Sequence, residues 1–166
     1  MKITLLTHAK EVVKRSNTGR LVLEVLGSAA EQLCWDRLQP PAGLLRDIAA
    51  GGVALVYPGA DDDGSSDLSG IRQFVLIDST WHGARRIHQR SPYLHALPRV
   101  ALKPKVPSRY NLRKNQRESG LCTAECVIEI LRSTGHYDTA GALETVFLAN
   151  MRPAAAVRSR PSEGVS

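Results

Sequence analysis

At 166 residues the chain is long enough for one compact domain with an apolar core, and too short for two ordinary ones. A hydrophobic fraction of 43% with few aromatics describes a soluble globular protein. No apolar run approaches the roughly 20 residues a spanning helix needs, which argues against a membrane role. The formal charge of +6 favours a polyanionic partner.

Lys2 to Thr7 (KITLLT) is β-branched and apolar, the pattern of a short buried strand that ends at His8. It meets the polar His8-Ala9-Lys10-Glu11 too soon to be a signal peptide, so the cytoplasm is the expected compartment. After a loop, Ser16-Asn17-Thr18 offers helix caps ahead of Arg20 to Leu26, and Gly27 offers a stop. Pro40-Pro41 opens a second helix, Ala42 to Ala50, which Gly51-Gly52 closes. Val53 to Tyr57 (VALVY), bounded by Gly52 and Pro58, is a continuous apolar run suited to burial on both faces of a parallel sheet.

Pro58 to Gly70 is polar and rich in Gly, Asp and Ser, a surface loop. Phe74 to Ile77 (FVLI) is the next buried strand and ends at Asp78. Trp81 to Gln89 has helical composition, Pro92 interrupts it, and Tyr93 to Leu97 resumes a turn. Val100-Ala101-Leu102 is a further strand candidate, and the proline-punctuated Lys103 to Gly120 is irregular. Thr123 to Leu131 is an amphipathic helix, stopped at Gly135. Tyr137 to Asn150 is another, with Leu143, Val146, Phe147 and Met151 on one face. From Pro153 onward nothing asks to be buried, so a domain over 1–152 and a flexible tail over 153–166 are expected.

Strands alternating with helices imply an α/β fold, a mostly parallel sheet with helices on both faces. Ligands of such sheets collect beyond the carboxyl ends of the strands, where Tyr57-Pro58 and Asp78-Ser79-Thr80-Trp81 lie. Cys34, Cys122 and Cys126 contain no Cys-x-x-Cys, so they read as packing residues and not as a metal or disulfide set. The five histidines lack close pairing and metal spacing, so none is assigned to catalysis. Arg99 to Arg117 holds Arg99, Lys103, Lys105, Arg109, Arg113, Lys114 and Arg117 with no acidic residue. That is either an electrostatic footprint for phosphates or a solvated loop.

Asp78 follows four apolar residues and precedes a helix, so it is either an N-cap or a catalytic carboxylate. Phe74 to Arg86 (FVLIDSTWHGARR) resembles the motif of the DTW-domain proteins, an aspartate, a variable residue, then threonine and tryptophan. Leu97-Pro98-Arg99-Val100, Ser108 to Lys114 (SRYNLRK) and Leu121 to Glu125 (LCTAE) resemble the downstream blocks of that family, in order. Upstream, His8 to Glu11, Ser16 to Arg20 (SNTGR) and Tyr57-Pro58 complete the series, so the resemblance covers about His8 to Leu131.

The resemblance implies a SPOUT-like α/β domain, with a knot at the cofactor site left open. It implies transfer of an aminocarboxypropyl group from S-adenosylmethionine to N3 of a uridine in RNA, with tRNA the expected substrate. Asp78 is then the candidate general base. Tyr57, Pro58, Ile77, Thr80, Trp81, Leu121, Thr123, Ala124 and Glu125 are the candidate walls of the co-substrate site. Trp81 has packing of helix on sheet as its alternative, and Glu125 a first-turn position near the positive end of a helix dipole. Asn17, Arg20, Arg85, Arg86, Arg109, Arg113 and Lys114 are the candidate RNA contacts. No metal is expected. Relatives that open with a cysteine-rich metal-binding segment differ from this chain, and Cys122 stands where serine is more usual. An RNA methyltransferase or an RNA-binding module without catalysis are the alternative activities on the same scaffold.

Overall fold

The computed structural model describes residues 1–14, 17–57, 67–102 and 121–151. Five strands form one all-parallel sheet: β1 (Lys2–His8), β2 (Ala30–Trp35), β3 (Val53–Val56), β4 (Gln73–Asp78) and β5 (Arg99–Val100), in the spatial order β2-β1-β4-β3-β5. A parallel strand is shielded above and below, which is why β1, β3 and β4 are nearly continuous apolar runs.

Side chains alternate across the sheet, and the alternation sorts the helices into two layers. Ile3, Leu5, Ala54, Phe74 and Leu76 face α2 (Gly19–Leu26), α6 (Thr123–Ser133) and α7 (Tyr137–Met151), which contribute Leu21, Val22, Val127, Ile130, Leu143 and Phe147 to one core. Leu6, Val53, Leu55 and Val75 face α3 (Ala42–Ala50), α4 (Trp81–Gln89) and α5 (Pro92–His95), which contribute Leu44, Ile87 and Leu94 to the other. Helices on both faces of a parallel sheet are what the alternating pattern led one to expect. Residues 103–120 and the expected tail lie outside the described residues.

Several details differ from the sequence reading. Only a loop is expected between β1 and the helix at Arg20, but His8 caps a one-turn helix, α1 (Ala9–Val12), by accepting from Lys10 N at Nδ1 (3.1 Å). β2 itself carries no apolar run, because an edge strand pairs on one side only and its residues stay half exposed. The last strand is Arg99–Val100 and not 100–102, since pairing with β3 stops where Tyr57 N bonds Val100 O at 3.2 Å.

The order of strands leaves one place where connections part. From β1 the chain leaves toward β2, and from the neighbouring β4 it leaves past β3 toward β5. In open α/β sheets the ligand crevice lies between such diverging loops, a position that falls here at the carboxyl ends of β1 and β4. Thr7 lies opposite Asp78 in the register of these strands.

Phe147 is 2% exposed and ties α7 to the core, so Phe147→Ala should lower unfolding free energy by about 3–5 kcal/mol. Val13 is 83% exposed, so Val13→Ala should stay within about 0.5 kcal/mol. Denaturant unfolding curves of the two variants check both values.

Candidate active site

Asp78 ends β4 at the crevice and is completely buried. A buried carboxylate needs hydrogen-bond donors, and two threonines supply them. Thr123, the first residue of α6, donates to Oδ1 at 2.7 Å, and Thr7 at the end of β1 donates to Oδ2 at 3.4 Å. Gln32 on β2 donates from Nε2 to the Thr7 oxygen at 3.3 Å, which turns the Thr7 proton toward the carboxylate. Side chains from strands, loop and helix that are far apart in sequence thus meet on one acid.

The loop before α2 closes the same place from its other side. Asn17 accepts from Gly19 N at 2.7 Å and donates to Glu11 O at 3.0 Å, while Thr18 Oγ1 accepts from Ala124 N at 3.1 Å. Gly19 packs directly on Asp78: a Cβ there would collide with Oδ2 and lie 2.8 Å from Asn17 Oδ1. At the start of α6, Glu125 reaches back to accept from Cys122 N at 3.0 Å, a capping box in which Cys122 is the N-cap. Burial pushes the Cys122 thiol up to about 12, with the Glu125 carboxylate adding to the shift.

On the other face of the sheet the edge is aromatic. The rings of Tyr57 and Trp81 lie 6.1 Å apart, those of Tyr57 and His88 stack at 4.4 Å, and those of His88 and His95 meet at 4.7 Å. Arg99 places its guanidinium 5.4 Å from the centre of the Tyr57 ring and 3.4 Å from His88 Nε2. The histidines expected to stand apart are therefore paired here, because Pro92 turns the chain so that His95 Nε2 reaches His88 O at 2.7 Å. Burial first, then the positive Arg99 and the His95 imidazole, hold His88 below the usual imidazole range. Among the described residues no group of three His, Cys, Asp or Glu is arranged to hold a metal.

Of the two readings of Asp78, the cap belongs to another residue: Thr80 caps α4, accepting from Gly83 N at 3.1 Å. Ile77 packs beside Tyr57 in the core on the α4 side. Thr123 and Ala124 are buried at the start of α6, and Leu121 is half buried ahead of it. Arg85 and Arg86 are exposed on α4, on a side that also shows His82, Gln89 and the following Arg90. Arg20 is exposed and bonds Asn150 Oδ1 at 2.5 Å. Asn17 sits inside, 3% exposed, with both ends of its amide engaged by backbone. Pro58, Arg109, Arg113 and Lys114 lie outside the described residues.

Sequence reasoning missed Thr7 and Gln32, set His88 aside with the other histidines, and named Arg99 only as part of longer stretches. Thr7 had a signal, since period two along KITLLT puts it on the face of Ile3 and Leu5. The others depend on which strand neighbours which.

An all-parallel sheet with helices on both faces, and a hydrogen-bonded acid at its diverging loops, defines an α/β protein whose candidate site lies at the carboxyl ends of β1 and β4. The DTW domain model matches residues 1–153, and the chain belongs to that family, the tRNA-uridine aminocarboxypropyltransferase domain. The DTW family is one of tRNA-modifying enzymes. No solved structure matches the chain.

Gly19→Ala should destabilise the fold by about 1–3 kcal/mol, the usual range for overpacking, because its methyl group displaces Asp78 or α2. Thermal unfolding would register it. His88 should make the protein acid-sensitive. Its folded pKa lies below its unfolded value of about 6.5, so its stabilisation is present above that pH and is lost as pH falls below it. Between about pH 7.5 and 5.5 the wild type should therefore lose more stability than His88→Phe, as measured by urea unfolding at each pH.

Proposed function

We propose that this chain transfers a 3-amino-3-carboxypropyl group from S-adenosylmethionine to N3 of a uridine in tRNA, in the cytoplasm, with release of 5′-methylthioadenosine. The observation that carries this reading is Asp78, a fully buried acid at the crevice of a DTW-family sheet, with a hydroxyl at 2.7 Å from Oδ1. Uridine N3 is a weak nucleophile while protonated, so the reaction needs a base beside the bound nucleotide. Asp78 is that base.

The residues at this edge suit the co-substrate. Half-buried rings of Tyr57 and Trp81 fit a cationic sulfur and an adenine, and Ile77 adds an apolar wall. Thr80, Leu121, Ala124 and Glu125, together with Pro58, complete the set that would hold it. S-adenosylmethionine supplies a carbon activated by its sulfonium, and the orientation in which the protein holds it decides which carbon faces the RNA.

Docking of RNA falls to the exposed side of α4. His82, Arg85, Arg86, Gln89 and Arg90 recur at helical spacing there, and no acidic residue occurs in the chain between Asp78 and Glu118. Arg109, Arg113 and Lys114 extend this positive field, and Arg20 adds to it from α2. Asn17, buried and bonded to backbone, is read as sealing Asp78.

Purified protein incubated with S-adenosylmethionine and unmodified tRNA should form 5′-methylthioadenosine in step with a modified uridine. S-adenosylhomocysteine in its place would make the chain a methyltransferase, and tRNA binding with neither product would make it a binding module. Arg85→Glu with Arg86→Glu should weaken tRNA binding and lower the salt slope by about one unit per lost phosphate contact. Binding isotherms across a salt series measure that.

A further inference from the structure

We propose that Thr123 is the proton relay of the site, a catalytic residue whose hydroxyl touches the uridine and passes its proton to Asp78. The inference rests on the aminocarboxypropyl transfer proposed above and names how the buried acid is reached.

A general base acts within about 2.6–3.2 Å of the proton it removes, or through one bridging group. Asp78 is 0% exposed, so a nucleobase in the crevice does not meet its oxygens directly. The Oδ2 side is walled by protein. Thr7 occupies it and is itself 0% exposed, Gln32 holds the Thr7 oxygen from behind, and Gly19 packs against the acid with no room for even a methyl group. None of these leads outward. The Oδ1 side carries Thr123, at 2.7 Å and still 7% exposed, at the first position of α6 beside the crevice.

A hydroxyl has one proton to give and two lone pairs to accept with. The Thr123 proton is directed at Asp78, and among the described residues its oxygen accepts no hydrogen bond. It is thus oriented as a relay: acceptor toward the ligand, donor toward the acid. When N3 commits its electron pair to the new N–C bond, the N3–H bond breaks. Thr123 Oγ1 takes that proton while its own moves to Asp78 Oδ1. The electrons of the broken C–S bond stay on sulfur, so a neutral thioether leaves as the carboxylate becomes a neutral acid, and charge is conserved. After release the acid loses its proton to solvent by the same route.

The test compares the wild type, Thr123→Val, Thr123→Ser, Asp78→Asn and the double variant Thr123→Val with Asp78→Asn on tRNA carrying uridine or 5-fluorouridine. Valine keeps the shape and removes the hydroxyl, and should lower kcat by about 10²-fold or more, the lower range for loss of acid–base catalysis. Serine should restore most of the rate. The double variant should be no slower than the slower single variant, because residues acting as one unit do not multiply their losses. 5-Fluorouridine, whose N3–H is more acidic, should recover the valine variant more than the wild type. Calorimetry should find S-adenosylmethionine affinity within about twofold of wild type for Thr123→Val, since a relay is not asked to hold the co-substrate. Wild-type kcat in a folded Thr123→Val overturns the relay, as do multiplying losses, a folded serine variant as slow as valine, or a valine variant that loses co-substrate affinity alone. If the wild type yields S-adenosylhomocysteine or no product, the transfer reaction itself is wrong and the relay falls with it.

Discussion

The structure is organised by the need to keep one carboxylate out of water. Moving an ion of this size into a protein interior costs several kcal/mol unless it is closely hydrogen-bonded. Asp78 is completely buried, and the groups that compensate it come from β1, from the start of α6 and, at one remove, from β2. Each must be in place at once. The requirement explains why α2 begins with glycine, why Thr18 and Asn17 are turned inward, and why the first turn of α6 is buried along with the apolar residues that follow it.

The two faces of the sheet divide the work that meets at this edge. On the side of α2, α6 and α7 the edge residues are small and polar, and they close on the acid. On the side of α3, α4 and α5 they are rings stacked from Trp81 through Tyr57 to His88 and His95, bounded by Arg99. Strand alternation alone produces this separation, because Asp78 and Ile77 are neighbours in β4 and point to opposite layers. The edge thus has buried hydroxyls around the acid on one side and half-buried rings on the other.

Much of the fold was legible before any coordinates. β1, β3 and β4 are runs of buried apolar residues, and α2, α3, α4, α6 and α7 carry caps, stops and helical spacing, so their physics is local. β2 was not legible, because most of Ala30–Trp35 is half exposed at an edge and the adjacent Glu31 and Gln32 break the period-two alternation of a strand. The site was legible only by parts. Asp78, Thr80 and Trp81 are adjacent in the chain, and their resemblance to a family pointed at them. Thr7 and Gln32 become partners of Asp78 only through the order β2-β1-β4, which no single segment encodes. The same holds for Gly19, whose bareness looks like an ordinary helix start until the acid it accommodates is known.

If the proposed transfer takes place here, the cap of α6 bears on what a protein can safely keep beside an alkylating reagent. A sulfonium that donates a carbon to a nucleotide can donate it equally to a thiolate, and the protein would then consume itself. Cys122 adjoins the hydroxyl at the centre of the site, yet burial and the Glu125 carboxylate raise its thiol to about 12. At neutral pH roughly one molecule in 10⁵ then carries the thiolate, the only form that attacks carbon readily. Cys126 is pushed in the same direction, again chiefly by burial. Burial at the start of the helix, helped by the Glu125 carboxylate, therefore keeps this sulfur chemically quiet, so that a cysteine can stand in for a hydroxyl residue without becoming a target.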